Sequence, residues 1–222
     1  MNAGAELRAV LDTVAPDVRR AAGELWRPDR LRARYSRYLV LMHAVVRASV
    51  PLMELALAHC GGDDPVRVRL GAYLPAHIEE ELHHDDWLLE DLAVAGGDPV
   101  AALAAPPPVE VAALVGPQYY WISHFHPVCV LGYIAALESN APSPELGTLL
   151  AAWTGLPDDA FHTVRHHADV DDGHSGAIFA LLDRLDLTPP LRLAVRTSAL
   201  HAAGALIDLF TAVSQEDSHD RA

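Results

Sequence analysis

Apolar residues recur at intervals of three and four along almost the whole sequence, and no segment shows the sustained two-residue alternation of a β-strand. This spacing predicts an all-α protein. Runs of glycine or proline at 61–62, 96–97, 106–108 and 189–190 separate the helical segments. The predicted helices cover residues 4–25, 30–60, 66–95, 109–139, 144–154, 157–186 and 189–214, with breaks or kinks expected near Pro16, Pro51, Pro75, Pro117 and Pro127.

The composition indicates a single folded domain. Of the 222 residues, 51% are hydrophobic and 21% are charged, which is enough apolar surface for one sizeable core. There is no serine- and glycine-rich linker and no change of composition that would mark a second domain. We therefore predict one helical domain over residues 1–222, a bundle of about seven helices. Residues 1–28 form an N-terminal helical extension in this prediction, and the acidic residues 215–222 form a flexible tail.

Charge and cysteine content exclude several classes of protein. The net charge of -14 repels polyphosphates and anionic lipid head groups, so we expect neither nucleic acid nor a membrane as partner. Cys60 and Cys129 stand alone, which supports neither a disulfide framework nor a thiolate zinc site. Glu6, Arg8 and Asp12 interrupt the apolar stretch that a signal peptide needs. We expect a cytoplasmic protein.

One uncharged stretch is long enough to cross a bilayer. Residues 111–137 contain no Asp, Glu, Lys or Arg. The centre of this stretch reads GPQYYWISHFHP, with two prolines, a glutamine, a serine and two histidines. Such groups are costly in hydrocarbon, so the segment is interpreted as a buried core helix rather than a membrane span.

Two predicted helices carry the same pattern of metal-ligand residue types, His-x3-acid-x2-His. In HIEEELHHDDWLLEDL the three residues are His77, Glu81 and His84, and in HHADVDDGH they are His167, Asp171 and His174. On a straight helix each set lies on one face over two turns. Imidazole and carboxylate are ligands of non-haem iron and manganese, so two such faces opposed in a bundle could enclose a pair of metal ions.

The surroundings of these triads favour a metal over other forms of charge compensation. Apolar residues continue both stripes, which places the acids in line with the core. A buried carboxylate is costly unless a proton, an arginine or a metal neutralises it. From Leu70 to Ser175 the sequence has sixteen acids and only one basic residue, Arg165, whereas the first 47 residues carry +4. A cation is therefore the compensation that fits.

Glu138 is the only acid between Glu110 and Glu145 and ends the uncharged segment. Two interpretations stay open for it at this point: a solvated helix end, because Ser139 to Pro142 follow at once, or a third carboxylate ligand. With the two triads it would complete a set of four imidazoles and three carboxylates. Three negative charges suit two divalent ions.

Three motifs resemble those of haem-oxygenase-like di-iron oxidases and oxygenases, also described as iron-containing redox enzymes. The first ligand helix of that family is similar to EELHHDDWLLEDL, which contains Glu81 and His84. Its second ligand helix is similar to HPVCVLGYIAALES, which contains Glu138. The signature of the family is similar to HHADVDDGH, which contains His167, Asp171 and His174. The resemblance runs from about Tyr73 to Ser175. Related sequences place a glutamate seven residues before the histidine of the first ligand helix, here His84, and this sequence has His77 at that position. Related sequences also carry a further glutamate on an earlier helix, for which the only candidate here is Glu54.

The resemblance implies a haem-oxygenase-like fold and an O2-dependent non-haem iron oxidoreductase. It implies two Fe(II) ions per chain, O2 as co-substrate and a small substrate, an amine, an amino acid or a fatty acid, oxidised in a biosynthetic pathway. The expected metal ligands are His77, Glu81, His84, Glu138, His167, Asp171 and His174. Alternatives are a cofactor-independent, thiaminase-type or quinone-cofactor-forming relative on the same fold, or a haem- or iron-binding protein. The sequence leaves homodimer formation through apolar helix faces open.

Overall fold

The structure, a computed structural model, describes residues 2–219, without the side chains of 169–175 and 216–219. Within this range the chain forms ten α-helices and no strand, which confirms the all-α prediction; the expected number of about seven helices is wrong. The helices are α1 (Ala3–Leu25), α2 (Leu31–Ala58), α3 (Pro65–Glu81), α4 (His84–Val94), α5 (Pro99–Ala104), α6 (Val109–His124), α7 (Val130–Glu138), α8 (Leu146–Thr154), α9 (His162–Arg184) and α10 (Pro189–His219).

The additional helices arise because two predicted helices are each divided and one short helix is added. The segment 66–95 is interrupted at Leu82 and His83, where His83 adopts a left-handed backbone with φ of 70°. The segment 109–139 is interrupted after α6 by a 3-10 turn, Pro127–Cys129. The short α5 begins where the Asp98 carboxylate accepts hydrogen bonds from two backbone N–H groups.

Most of the helix breaks that were predicted at prolines are absent from the described chain. Pro16, Pro75 and Pro117 lie inside continuous helices, so the interruptions predicted there are wrong, and α2 likewise runs past Pro51. An internal proline costs a helix about 3 kcal/mol, and packing of the flanking residues outweighs this cost. The break predicted near Pro127 is confirmed.

Helices α7 and α10 form the centre of the bundle. Every residue from Val130 to Ala136 of α7 is buried, with α10 on one side and α9 on the other. Helix α10 also packs against α1 and α6, while α2 packs against α3, α4 and α6. The close approach of α7 to α10 depends on Gly132, since a Cβ there would lie 2.2 Å from the backbone oxygen of Val195.

The uncharged stretch 111–137 does not form one long helix, because α6 ends at His124 and α7 begins at Val130. Two other helices of the described chain, α2 and α10, are long and apolar enough to cross a membrane by length and composition alone. Core helices of soluble proteins pass the same test. Both helices here pack against several neighbours of the bundle.

A buried histidine joins the start of α3 to the turn that precedes α7. Nε2 of His126 lies 3.0 Å from Asp64 Oδ2, and Nδ1 accepts a hydrogen bond from the backbone N–H of Val128 at 3.1 Å. The other oxygen of Asp64 caps α3 at Val66. Because Nδ1 accepts, the proton is on Nε2, which donates to Asp64. This contact fixes the position of α3 relative to the α6–α7 connection.

We expect His126 to make the folded chain sensitive to acid. Burial lowers the pKa of His126 below its ordinary value of 6.5, and the hydrogen bond from His126 lowers the pKa of Asp64 below 3.8. Below pH 6.5 the unfolded chain therefore binds a proton at His126 more readily than the folded chain. The contribution of His126 to the free energy of unfolding is complete above pH 6.5 and is lost as the pH drops toward the pKa of His126 in the folded chain. Denaturant titrations from pH 7 to pH 5 should show a smaller loss in His126→Gln. Parallel losses in the two proteins would contradict this.

Candidate metal centre

Five of the seven predicted ligands come together where α3, α4, α7 and α9 meet. His77 and Glu81 lie on α3, His84 begins α4, Glu138 ends α7 and His167 is on α9. His77, His84 and Glu138 are buried, and Glu81 and His167 are half-buried. The side chains of the other two predicted ligands, Asp171 and His174 on α9, lie outside the described residues.

The five residues form two groups that share one carboxylate. Ligand atoms of Glu81, His84 and His167 lie within 4.8 Å of one another, and so do those of His77, Glu81 and Glu138. Each group offers imidazole nitrogen and carboxylate oxygen at a spacing suited to one ion. Glu81 therefore stands between two adjacent candidate metal positions.

The geometry of the first triad differs from the one expected. His77, Glu81 and His84 do not lie on one continuous helix, because Leu82 and His83 separate α3 from α4. Glu81 is the last residue of α3 and His84 is the first of α4. The two side chains still meet, with Nδ1 of His84 3.1 Å from Oε2 of Glu81. The motif thus brings its ligands together through a bend and not through a shared helical face.

The structure excludes one of the two interpretations that the sequence left open for Glu138. Glu138 is only 9% exposed, and its Oε1 lies 3.2 Å from Nε2 of His77. The solvated helix end is therefore wrong for this residue. Glu54, in contrast, is exposed on α2 and does not face the core.

His77 is held from both sides. Tyr73, one turn earlier on α3, shares a hydrogen bond of 3.2 Å with Nδ1, while Nε2 faces Glu138. Burial alone would lower the pKa of His77, but the hydrogen bond and charge of Glu138, with the charges of Glu81 and Glu80, raise it above its ordinary value. Tyr73 was not predicted as part of the site; its spacing of four residues before His77 is the signal that could have identified it.

Glu81 is kept ionised by its histidine neighbours. Burial would raise the pKa of this carboxyl, but the contact with His84 and the charges of His167 and His77 lower it below the ordinary value. Arg165, the only arginine between Leu70 and Ser175, is bound elsewhere, to Asp158 at 2.8 Å. Imidazoles rather than that arginine thus surround this carboxylate.

The backbone sets the orientation of His167. Nδ1 of His167 lies 3.0 Å from the carbonyl oxygen of Thr163, one turn earlier on α9. A carbonyl can only accept, so Nδ1 carries the proton and Nε2 keeps its lone pair. This is the arrangement in which a histidine binds a metal through Nε2.

Asp91 fixes the start of α9 and thereby the position of Thr163. Its two carboxylate oxygens accept hydrogen bonds from the backbone N–H groups of His162 and Thr163, at 3.2 and 2.9 Å. Asp91 is 1% exposed, and burial raises its pKa despite these two hydrogen bonds. One signal in the sequence could have identified this role, since Asp91 interrupts the apolar stripe of Leu88 and Leu92.

We expect Asp91→Ala to destabilise the fold by about 2 kcal/mol, because two buried N–H groups lose their acceptor. The corresponding fall in melting temperature is about 4 to 8 °C for a chain of this size. The exposed neighbour Glu90 is the matched control, and Glu90→Ala should melt within about 1 °C of the parent protein. Equal melting temperatures for the two variants would show that the cap on α9 contributes nothing.

The donor set fits iron. Nδ1 of His84 is buried, and its contact with Glu81 lacks hydrogen-bond geometry, so it has no hydrogen-bond partner among the described residues. A buried polar atom without a partner costs about 1–3 kcal/mol, which a metal close to it would offset. Mixed imidazole and carboxylate ligands are those of non-haem Fe(II) sites.

Comparison with known proteins agrees with this chemistry. The family profile described as iron-containing redox enzyme matches residues 34–209. A domain of unknown function with a haem oxygenase-like fold from Shewanella denitrificans OS217 superposes with a TM-score of 0.77 at 17% identity, covering 98% of this chain and 92% of that one. A TenA homologue from Pseudomonas syringae pv. tomato DC3000 gives 0.74 at 16% identity, covering 95% and 91%. No curated protein matches the chain. The haem oxygenase-like fold predicted from the motifs is thus confirmed.

Proposed function

Because the chain belongs to the family of iron-containing redox enzymes, we propose that it is a non-haem di-iron oxidase or oxygenase acting on a small molecule. The observation that carries the proposal is the position of Glu81, which belongs to two groups of ligand atoms at once. A carboxylate shared between two adjacent sites is the arrangement that binds a pair of divalent ions. A single metal would need only one of the groups.

Each ion would have its own ligands besides Glu81. His84 and His167 would hold one ion, and His77 and Glu138 the other. Bound ferrous ions would supply the electrons with which O2 is reduced while the substrate is oxidised. The two described carboxylates, with Asp171 as the predicted third, would balance the charge of the ions.

The protein's own part is orientation and exclusion of water. Tyr73 and the carbonyl of Thr163 fix the rings of His77 and His167 by hydrogen bonds to the nitrogen that faces away from the proposed ions. Burial of His77, His84 and Glu138 limits the access of water to their side of the site. Two surface cavities in the described chain, of about 580 and 390 Å³, are lined by other residues. The substrate class proposed from the resemblance, an amine, an amino acid or a fatty acid, is tested by product analysis with each class.

Replacing Glu138 with alanine is expected to remove one iron and leave the other. The variant loses a ligand of only one group, while Glu81, His84 and His167 remain. Elemental analysis after anaerobic loading with Fe(II) should fall from about two ions per chain to about one. The exposed Glu145 offers a control, and Glu145→Ala should keep both ions. Two ions retained in Glu138→Ala, or fewer than one in the parent protein, would contradict the paired site.

The second candidate is metal-free acid–base chemistry on the same fold. It is favoured by the contact of His77 with Glu138, where Nε2 and Oε1 lie 3.2 Å apart and a proton donor meets an acceptor. The two candidates differ in their response to strong chelation. Substrate turnover that persists after chelation and iron removal supports acid–base chemistry, whereas turnover restored only by Fe(II) supports the di-iron enzyme.

A further inference from the structure

Helix α9 carries two more histidines that the proposed centre does not use. His162 is its first residue and His166 follows one turn later, so both rings lie on the same side of the helix. The ring centroids are 6.2 Å apart. His162 is exposed and His166 is half-buried.

These two rings are continuous with the proposed ligands. The centroid of His166 lies 5.3 Å from that of His84 and 6.0 Å from that of His167. Four imidazoles therefore follow one another from solvent to the buried site, in the order His162, His166 and then His84 with His167. No gap between successive ring centroids exceeds 6.2 Å.

Trp87 closes one side of this row. Its indole stacks on His84 at 4.3 Å and meets the rings of His162 and His166 edge to face at 4.9 and 4.7 Å. Its contact with all three rings limits their freedom to turn away. The histidines are thus held as a row by packing, and not only by their order along the sequence.

Two histidines at positions i and i+4 of a helix can bind the same divalent transition-metal ion, since their nitrogens reach one point from successive turns. We propose that His162 and His166 form an outer metal-binding pair, which takes up a divalent ion from solvent and passes it inward through His166. The pair supplies only two protein ligands, so water would fill the other positions and the ion would exchange readily. Transfer replaces one imidazole by the next without a change of oxidation state. The inward step rests on the proposed di-iron centre; the outer pair does not.

Nickel(II) tests the outer pair directly. Titration of the metal-free protein should show one Ni(II) ion fewer per chain in the double variant His162→Gln with His166→Gln than in the parent, because the inner ligands are the same in both. His124, an exposed histidine on α6, provides the control, and His124→Gln should bind as many ions as the parent. Unchanged nickel binding in the double variant would overturn the outer pair.

Iron uptake tests delivery. When Fe(II) is added anaerobically to the metal-free protein, the double variant should bind iron about tenfold more slowly, because the outer metal-binding pair no longer raises the local concentration of the ion. The final iron content should be the same as in the parent. The single variant His162→Gln, at an exposed position, should also show a slower rate, while the contacts of Trp87 with His84 and His166 are kept. An uptake rate equal to that of the parent would overturn delivery. A parent chain that binds no iron, while the double variant still loses one nickel ion, would overturn the di-iron centre and delivery but support the outer pair.

Discussion

Iron content should fall from about two ions per chain to nearly none when Glu81 is replaced by alanine. Glu81 belongs to both groups of ligand atoms, so one substitution removes a ligand from each proposed ion. Loss of a residue that only hydrogen-bonds to a metal ligand lowers metal affinity by roughly 10- to 100-fold. Loss of a shared ligand should lower the affinity for both ions by more than this. Elemental analysis after anaerobic loading and buffer exchange measures the result.

Glu79 provides a matched control on the same helix. It is an exposed glutamate two residues before Glu81, so Glu79→Ala makes the same chemical change outside the site. We expect Glu79→Ala to retain both ions and Glu138→Ala to retain one. If Glu81→Ala kept one tightly bound ion, the two ions would not share this carboxylate and the proposed arrangement would be wrong.

The largest loss of stability is expected for Gly132→Ala. A Cβ at this position would lie 2.2 Å from the backbone oxygen of Val195 and 2.9 Å from the backbone nitrogen of Ala199. Backbone atoms of a packed helix cannot move aside as a side-chain end can, so α7 and α10 must separate. Overpacking of this kind costs about 3 kcal/mol, which corresponds to a fall of about 10 °C in melting temperature for a chain of this size.

The same substitution at Gly204 separates packing from helix propensity. A Cβ at Gly204 on α10 would meet nothing within 4 Å, so Gly204→Ala should raise stability by up to about 1 kcal/mol. Thermal unfolding followed by circular dichroism compares the two variants. Since Glu138 lies on the same helix as Gly132, we also expect weaker iron binding in Gly132→Ala. A variant that melts like the parent would mean that α7 and α10 are not packed this closely.

The helical class and most helix positions could be predicted because they depend on local spacing of apolar residues. The breaks could not, because tertiary packing decides whether a proline is tolerated, as at Pro16, or whether a chain without proline turns, as at Leu82 and His83. No residue type at these two positions indicates a helix end. The acids Asp85 and Asp86 in the first turn of α4 are compatible with a helix start but are equally common on solvated faces.

The candidate site was predictable where ligand types recur at helical spacing, and less so where partners come from elsewhere. Of the seven predicted ligands, the structure brings five together, and Asp171 and His174 lie outside the described side chains. The position of Glu81 between two groups of ligand atoms depends on how four helices meet. The spacing of residues within one helix does not specify this. Asp91 acts across 71 and 72 residues of sequence, on backbone groups that carry no sequence signal.

The bend at Leu82 and His83 has a consequence for the distance between the two proposed ions. A straight helix would have held His77 and His84 at one fixed separation through its internal hydrogen bonds. With α3 ending at Glu81, rotation about two backbone positions can shift His84 relative to His77 while both helices stay intact. In the proposed centre, such a joint would allow the separation of the two ions to change while both helices keep their internal hydrogen bonds.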